Sequence, residues 1–104
     1  MRTYLQRRWG GGSENPTEAE MRGALAELVT PDNEHPDCWL SDENNWTISA
    51  YQSGLLVLEN VESDEGPWHM KEQNTEAVLE LWRLLQEGDM VAIRMKPWLE
   101  GYGT

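Results

Sequence analysis

Between Asn45 and Tyr51 polar and apolar side chains alternate. Trp46, Ile48 and Ala50 fall on one face of an extended chain, and Thr47, Ser49 and Tyr51 fall on the other. That is the period of a strand with one buried side. Gln52-Ser53-Gly54 then offers a tight connection with a glycine for a positive φ, and Leu55 to Glu59 resumes as a second strand, which makes a β-hairpin. Leu55, Leu56, Val57 and Leu58 are apolar on both faces. This strand is therefore expected inside the sheet, with helices on one side and something else partly covering the other.

The apolar spacing changes to that of a helix in two places. Pro16 followed by Thr17-Glu18-Ala19-Glu20 reads as a helix start, with Thr17 and Glu20 each able to satisfy the other's backbone amide; Met21, Ala24, Leu25 and Leu28 follow as one stripe before Pro31. Asn74 is placed to cap a second helix with Val78, Leu81, Trp82 and Leu85 as its buried stripe and Gly88 as its stop. Thr3 to Trp9 reads as a strand that the Gly10-Gly11-Gly12-Ser13 run ends, and its arginines place it at an edge. Cys38-Trp39-Leu40 follows a polar, turn-rich stretch from Asp32 to Pro36 as a short strand, and Trp68-His69-Met70 re-enters the sheet after an acidic connection from Val61 to Pro67. Met90 to Lys96 reads as the closing strand, with Val91, Ile93 and Met95 inward and Pro97 as its end.

The order strand, helix, three or four strands, helix, strand predicts an α+β domain of two layers, with a largely antiparallel sheet of about five to six strands and two helices. The 104 residues are expected to form a single domain, with an N-terminal strand and glycine-rich turn over 1–15 and a C-terminal tail over 97–104.

Charge narrows the function classes. Eight basic against nineteen acidic residues give a net charge of −11, and no Lys or Arg occurs between Arg22 and Lys71. A field of this sign repels phosphate backbones and anionic membrane surfaces, and it attracts a basic protein. Direct nucleic-acid or membrane binding is disfavoured on this ground, and a homodimer is left open. Cys38 is the single cysteine, so no internal disulfide forms; with no apolar run long enough to cross a bilayer and no export-type start, a reducing, cytoplasmic setting is expected.

Catalytic patterns are missing. The glycine run lacks the Gly-Lys-Ser/Thr ending that places amides and a lysine around phosphate, and no Gly-x-Ser-x-Gly elbow occurs. His35, Cys38 and His69 are residue types that zinc accepts, but their spacing matches no standard ligand set. As a nucleophile Cys38 would be hindered by the surrounding acids, which raise a thiol's pKa, so a small apolar role in or near the core is the simpler reading. No catalytic residue, metal ligand or cofactor is expected, and the chain reads as a non-enzyme.

The six tryptophans divide by context. Trp82 lies on the helix stripe and Trp46 on the Ile48 face, which assigns both to the core, whereas Trp9 and Trp98 flank the sheet ends. Trp39 adjoins Asp37, Asp42 and Glu43. Trp68, beside His69, follows Glu62, Asp64 and Glu65 in the stretch VESDEGPWHM. Aromatic side chains ringed by carboxylates fit a protein-binding hot spot, with the indole supplying desolvated area and the acids supplying steering; burial of both indoles at strand ends fits the same pattern. Trp39, Asp42, Glu43, Glu62, Asp64, Glu65, Trp68 and His69 are accordingly the candidate partner-binding residues.

The run from Trp46 through Gly54 to Asn60, WTISAYQSGLLVLEN, resembles small bacterial immunity proteins of polymorphic toxin systems, as do the short length, the acidity and the late Leu81-Trp82-Arg83-Leu84-Leu85 helix. The resemblance spans about residues 38–98 and implies a stoichiometric inhibitor that binds one cognate, basic toxin domain. Two other functions remain alongside it. One is an inhibitor that mimics nucleic acid in a regulatory or phage setting, and the other is a small enzyme dependent on metal or on Cys38 and the histidines.

Overall fold

The computed structural model describes residues 1–103. The strands are β1 Thr3–Gln6, β2 Gly12–Glu14, β3 Asp37–Asp42, β4 Thr47–Tyr51, β5 Leu56–Asn60, β6 Glu65–Met70 and β7 Leu99–Glu100; the helices are α1 Glu18–Glu27, α2 Thr75–Glu87 and α3 Met90–Arg94. Among the described residues the strands form one sheet in the order β2-β1-β3-β4-β5-β6-β7, with every neighbouring pair antiparallel. The α+β class and the antiparallel sheet are as the sequence predicts. The counts are higher, at seven strands and three helices.

Two differences account for the higher counts. Met90 to Lys96 is not a strand. Asp89 accepts a hydrogen bond from the Ala92 amide and starts α3, so that Ile93 is buried while Val91 and Met95, also expected inward, are 74% and 80% exposed. The alternation of Val91, Ile93 and Met95 imitates a strand, but the Asp89 cap decides for a helical turn. The strand that closes the sheet is β7, which follows Pro97 and pairs with β6 at Trp68 and His69. At the other end β1 is not an edge strand, because the glycine run folds back as β2 and pairs with it.

The β4–β5 hairpin forms as predicted, with Gly54 at φ 88 and the Tyr51 amide donating to the Leu55 carbonyl oxygen. Helix α1 carries the full Thr17/Glu20 capping box, and α2 runs from the Asn74 cap to a left-handed Gly88. In an antiparallel sheet directly opposed side chains share a face. Leu5, Leu40, Ile48, Leu58 and Trp68 are aligned across β1, β3, β4, β5 and β6. The first four join Met21, Ala24 and Leu25 of α1 and Val78, Leu81, Trp82 and Leu85 of α2 in one core, against which Trp68 packs. Trp82 is fully buried there, and its indole N–H donates to the Ile48 carbonyl oxygen at 3.0 Å.

The other parity of the strands aligns Gln6, Trp39, Ser49, Val57, His69 and Leu99 on the opposite face. Val57 is only 1% exposed and His69 7%. Part of their cover is the C-terminal segment. Gly101 accepts from His69 Nδ1 at 2.9 Å, the Tyr102 hydroxyl donates to Glu59, and Gly103 lies so close that a Cβ there would meet the His69 ring at 2.7 Å. This is the partial cover that the doubly apolar Leu55–Leu58 stretch predicts.

Arg8, just past β1, is 4% exposed and faces no carboxylate partner among the described residues. Its guanidinium donates to the carbonyl oxygens of Glu27, Thr30, Asp32 and His35 and to Gln52 Oε1. The first two carbonyls lie at and beyond the end of α1, whose last turn has no basic residue of its own, so Arg8 supplies the positive charge favoured at a helix C-terminus.

Two stability outcomes follow. Trp82→Ala should cost about 3 to 5 kcal/mol, as a large-to-small change in a filled core that also removes the indole's hydrogen bond to the Ile48 carbonyl oxygen. Arg8→Met should cost at least about 3 kcal/mol by leaving several inward carbonyls without donors, and Arg8→Lys should restore little, since one ammonium lacks the planar fork that reaches them together. Urea unfolding of the variants measures both.

Candidate functional site

The β3–β4 and β5–β6 connections leave the same end of the sheet, since both follow strands running in one direction and precede strands running back. Two buried polar side chains hold them. Asp42, 4% exposed, accepts from the amides of Asn44 and Trp46 through Oδ1, each at 2.9 Å, while its Oδ2 is buried without a partner among the described residues. Asn60, also 4% exposed, donates to the Asn44 carbonyl oxygen at 2.9 Å and accepts from the Ser63 amide at 3.1 Å, which ties one turn to the other. Gly66 permits the return into β6. Its φ is 83, and a Cβ would stand 2.9 Å from the Leu58 carbonyl oxygen, so a residue with a side chain is excluded by both conformation and space.

On this framework the carboxylates of Glu43, Glu62, Asp64 and Glu65 are exposed. Glu43 accepts from the Arg2 amide and Glu65 from the Ser63 hydroxyl. Among the described residues none of them is within ion-pair distance of Lys or Arg. Arg2, Arg7, Arg22, Arg83 and Lys96 engage acids elsewhere, at Glu14, Glu18, Glu27, Glu76 and Glu80, around β2 and the helices. Those pairs are mostly solvent-exposed, which makes each worth little, and none of them reaches the carboxylates of the turn end.

The face opposite the core carries Tyr4, Ser41, Thr47 and Glu59 in one row and Gln6, Trp39, Ser49, Val57 and His69 in the next. Tyr4 is exposed, Trp39 partly so, and the Thr47 hydroxyl donates to that of Ser41. Burial first, then Asp37 and Glu59, raise the Tyr51 hydroxyl above its ordinary pKa; for Tyr102 the bond to Glu59 is the first cause. Two grooves flank the Val61–Glu65 turn. One of about 220 Å³ is lined by Ser41, Asn45, Thr47, Val61 and Glu62, and one of about 120 Å³ includes Glu59, Asp64, Glu65, Pro67 and Tyr102 in its walls.

The residues singled out by sequence therefore separate. Glu43, Glu62, Asp64 and Glu65 stand together at the turn end, and Asp42 lies beneath them as a turn-holding group. Trp39 and His69 share the open-face row, with His69 under the C-terminal segment. Trp68 lies on the core side of the sheet, stacked on Trp46 at 6.5 Å with the Arg94 guanidinium 4.1 Å above its ring. Its ring lies beside Gly66, where a Cβ would stand 3.1 Å from it. Tyr4, Ser41, Thr47, Glu59 and Tyr102 belong to the same surface and were not singled out, although the strand parity that placed Ile48 inward also places Thr47 outward.

His35 sits in the loop before β3 beside Asp32, whose carboxyl is held down to about 2 by the Trp9 indole N–H first and then by the amides of Glu34 and His35. Cys38 is paired with Ala50 in the core-facing register, and His69 with Val57 on the other face, so the thiol and that imidazole do not converge. Among the described residues no three His, Cys, Asp or Glu side chains gather as a metal site.

Burial, followed by the charges of Asp37 and Glu27, pushes the Cys38 thiol up to about 12. Since the thiolate is the reactive form, a disulfide reagent at about pH 8, near the ordinary thiol pKa of about 8.5, should leave native Cys38 unmodified. It should react at once in denaturant; rapid labelling of the folded protein would show an accessible thiol.

Comparison with protein-family models, with curated proteins and with solved structures finds no match for this chain.

Proposed function

We propose that the chain is a stoichiometric protein inhibitor, of the immunity type, which acts in the bacterial cytoplasm by occluding a cognate basic toxin domain and performs no catalysis of its own. In this reading the domain has two layers, the helices cover one face of the sheet, and the acidic turn end together with the open face receives the partner. The observation that carries it is the set of exposed carboxylates at Glu43, Glu62, Asp64 and Glu65, which lack basic partners and stand on turns fixed by Asp42 and Asn60. Fixed charges of one sign raise association rates with an oppositely charged surface and lose less entropy on binding than mobile ones. Trp39 suits the anchor role better than Trp68, because Trp39 is on the open face and Trp68 is committed to Trp46 and Arg94.

The test uses the product of the neighbouring upstream gene, which this reading expects to carry a basic toxin domain. One equivalent of the protein should abolish its activity. Replacing Glu62, Asp64 and Glu65 with Ser should leave folding intact, slow association and flatten its salt dependence. Trp39→Ala should act on dissociation instead, by about 2 kcal/mol or more for a hot spot. Unaltered rates for the triple variant at low and high salt would remove the turn from the interface, and full toxin activity at excess inhibitor would end the inhibitor reading.

A further inference from the structure

The ridge of the β5–β6 turn is Val61, 78% exposed, and a groove lies on each side of it. The lining of the larger one presents the hydroxyls of Ser41 and Thr47, the amide of Asn45 and the carboxylate of Glu62. The smaller presents the carboxylates of Glu59, Asp64 and Glu65 beside Pro67 and Tyr102. Neither lining contains a Lys, Arg or His, and the Tyr102 hydroxyl already donates its proton to Glu59. Oxygen acceptors are thus gathered around two clefts whose walls supply no cation. The walls cannot easily rearrange to satisfy one another, because Asn60 bonds both turns and the Thr47 hydroxyl is engaged with Ser41.

From this geometry we infer that the Val61–Glu65 turn is a receptor for arginine side chains of an extended basic segment on the partner protein, which straddles Val61 and sets a guanidinium into the Ser41/Thr47/Glu62 groove and another against Glu59, Asp64 and Glu65. The inference rests on the proposed inhibitor reading for its partner and adds the chemistry of the contact. Arginine is favoured over lysine because four different side chains, Ser41, Asn45, Thr47 and Glu62, bring oxygen acceptors to the lining of the larger groove. A planar group with five donors meets them together, whereas an ammonium is a compact point charge with a larger hydration cost. The apolar stem of an arginine would cover Val61, an otherwise solvated apolar ridge.

The probe is an acetylated, amidated peptide of alternating Arg and Gly, compared with its Lys and Glu counterparts by amide and side-chain NMR shifts of the full protein at low salt. Saturable shifts should centre on Ser41, Asn45, Thr47, Val61 and Glu62. The Lys peptide should bind more weakly and the Glu peptide not at all. Glu62→Gln, an exposed turn substitution whose folding is checked by thermal unfolding, should weaken the Arg peptide about threefold to tenfold, in line with loss of one charge-assisted contact. Glu80→Gln on α2 should change nothing. Shifts spread evenly over exposed acids such as Glu76, Glu80 and Glu87, equal binding of the Arg and Lys peptides, or Glu62→Gln binding within a factor of two of the parent would each overturn the proposal. If Glu62→Gln still neutralises the toxin domain with parental affinity while the triple Ser variant does not, the inhibitor reading stands and the arginine receptor falls. Localised peptide binding with no effect on the toxin domain would leave the arginine receptor standing and end the inhibitor reading.

Discussion

The guanidinium of Arg8 is the constraint around which the N-terminal half of the domain is arranged. It leaves β1 and gathers the carbonyl oxygens of Glu27, Thr30, Asp32 and His35 with the Gln52 side chain. Those groups belong to the end of α1, to the irregular segment leading into β3, and to the β4–β5 turn. A buried charge without a counter-ion is costly unless its hydrogen-bonding capacity is filled, and here the backbone fills it. The same contacts satisfy carbonyls that no continuing helix or strand would reach. One side chain thereby fixes how α1 returns to the sheet and where β3 begins. Trp9 strengthens the arrangement from outside. Its ring lies 4.8 Å from the Arg8 guanidinium, and its N–H donates to Asp32 at 2.7 Å.

Once β3 is placed, antiparallel pairing assigns every strand residue to one face or the other, and the two faces take different work. The parity that carries Leu40, Ile48 and Leu58 meets α1 and α2. The parity that carries Trp39, Ser49, Val57 and His69 meets a three-residue segment, 101–103, at its β5–β6 side, through Glu59 and His69. Charge is divided along a second axis. Arg7, Arg22, Arg83 and Lys96 pair with acids on or beside the helices, and Arg94 is engaged with tryptophan rings. None of these pairs involves Glu43, Glu62, Asp64 or Glu65, so the carboxylates of the turns at the end of the sheet stand without ion-pair partners among the described residues.

How much of this was legible in the sequence follows the range of the interaction involved. The Thr17/Glu20 box, the Asn74 and Gly88 caps and the β4–β5 hairpin are set by neighbours within a few residues, and each formed as the sequence predicts. Met90 to Lys96 misled because alternation at Val91, Ile93 and Met95 is compatible with both periods over so short a run; Asp89, three residues before Ala92, was the local signal for a helix. β2 was missed because Gly12-Ser13-Glu14 has no apolar side chain. Its strand character comes from pairing with β1, and a Cβ at Gly12 would collide with the Leu5 carbonyl oxygen.

The roles of Trp39 and Trp68 show where local reading stops. Both stand in short strands beside carboxylates, and no feature within several residues of either separates them. What separates them is register. Trp39 is opposed to Ser49, and Trp68 to Leu58 across a pairing that shifts between Leu58 and Asn60. A one-residue change of register exchanges the faces of a strand, so that irregularity beside Gly66 decides which way Trp68 points. The same irregularity sets the acidic turn on a packed base of Trp46, Trp68 and Arg94. Rigid support under exposed charge is what a surface needs if it is to hold a partner in one geometry without ordering itself first. The contrast between carboxylates and an indole in the stretch from Val61 to Met70 resolves in those terms: the acids face water, while the tryptophan is half-buried against Trp46 and Arg94 on the core side of the sheet.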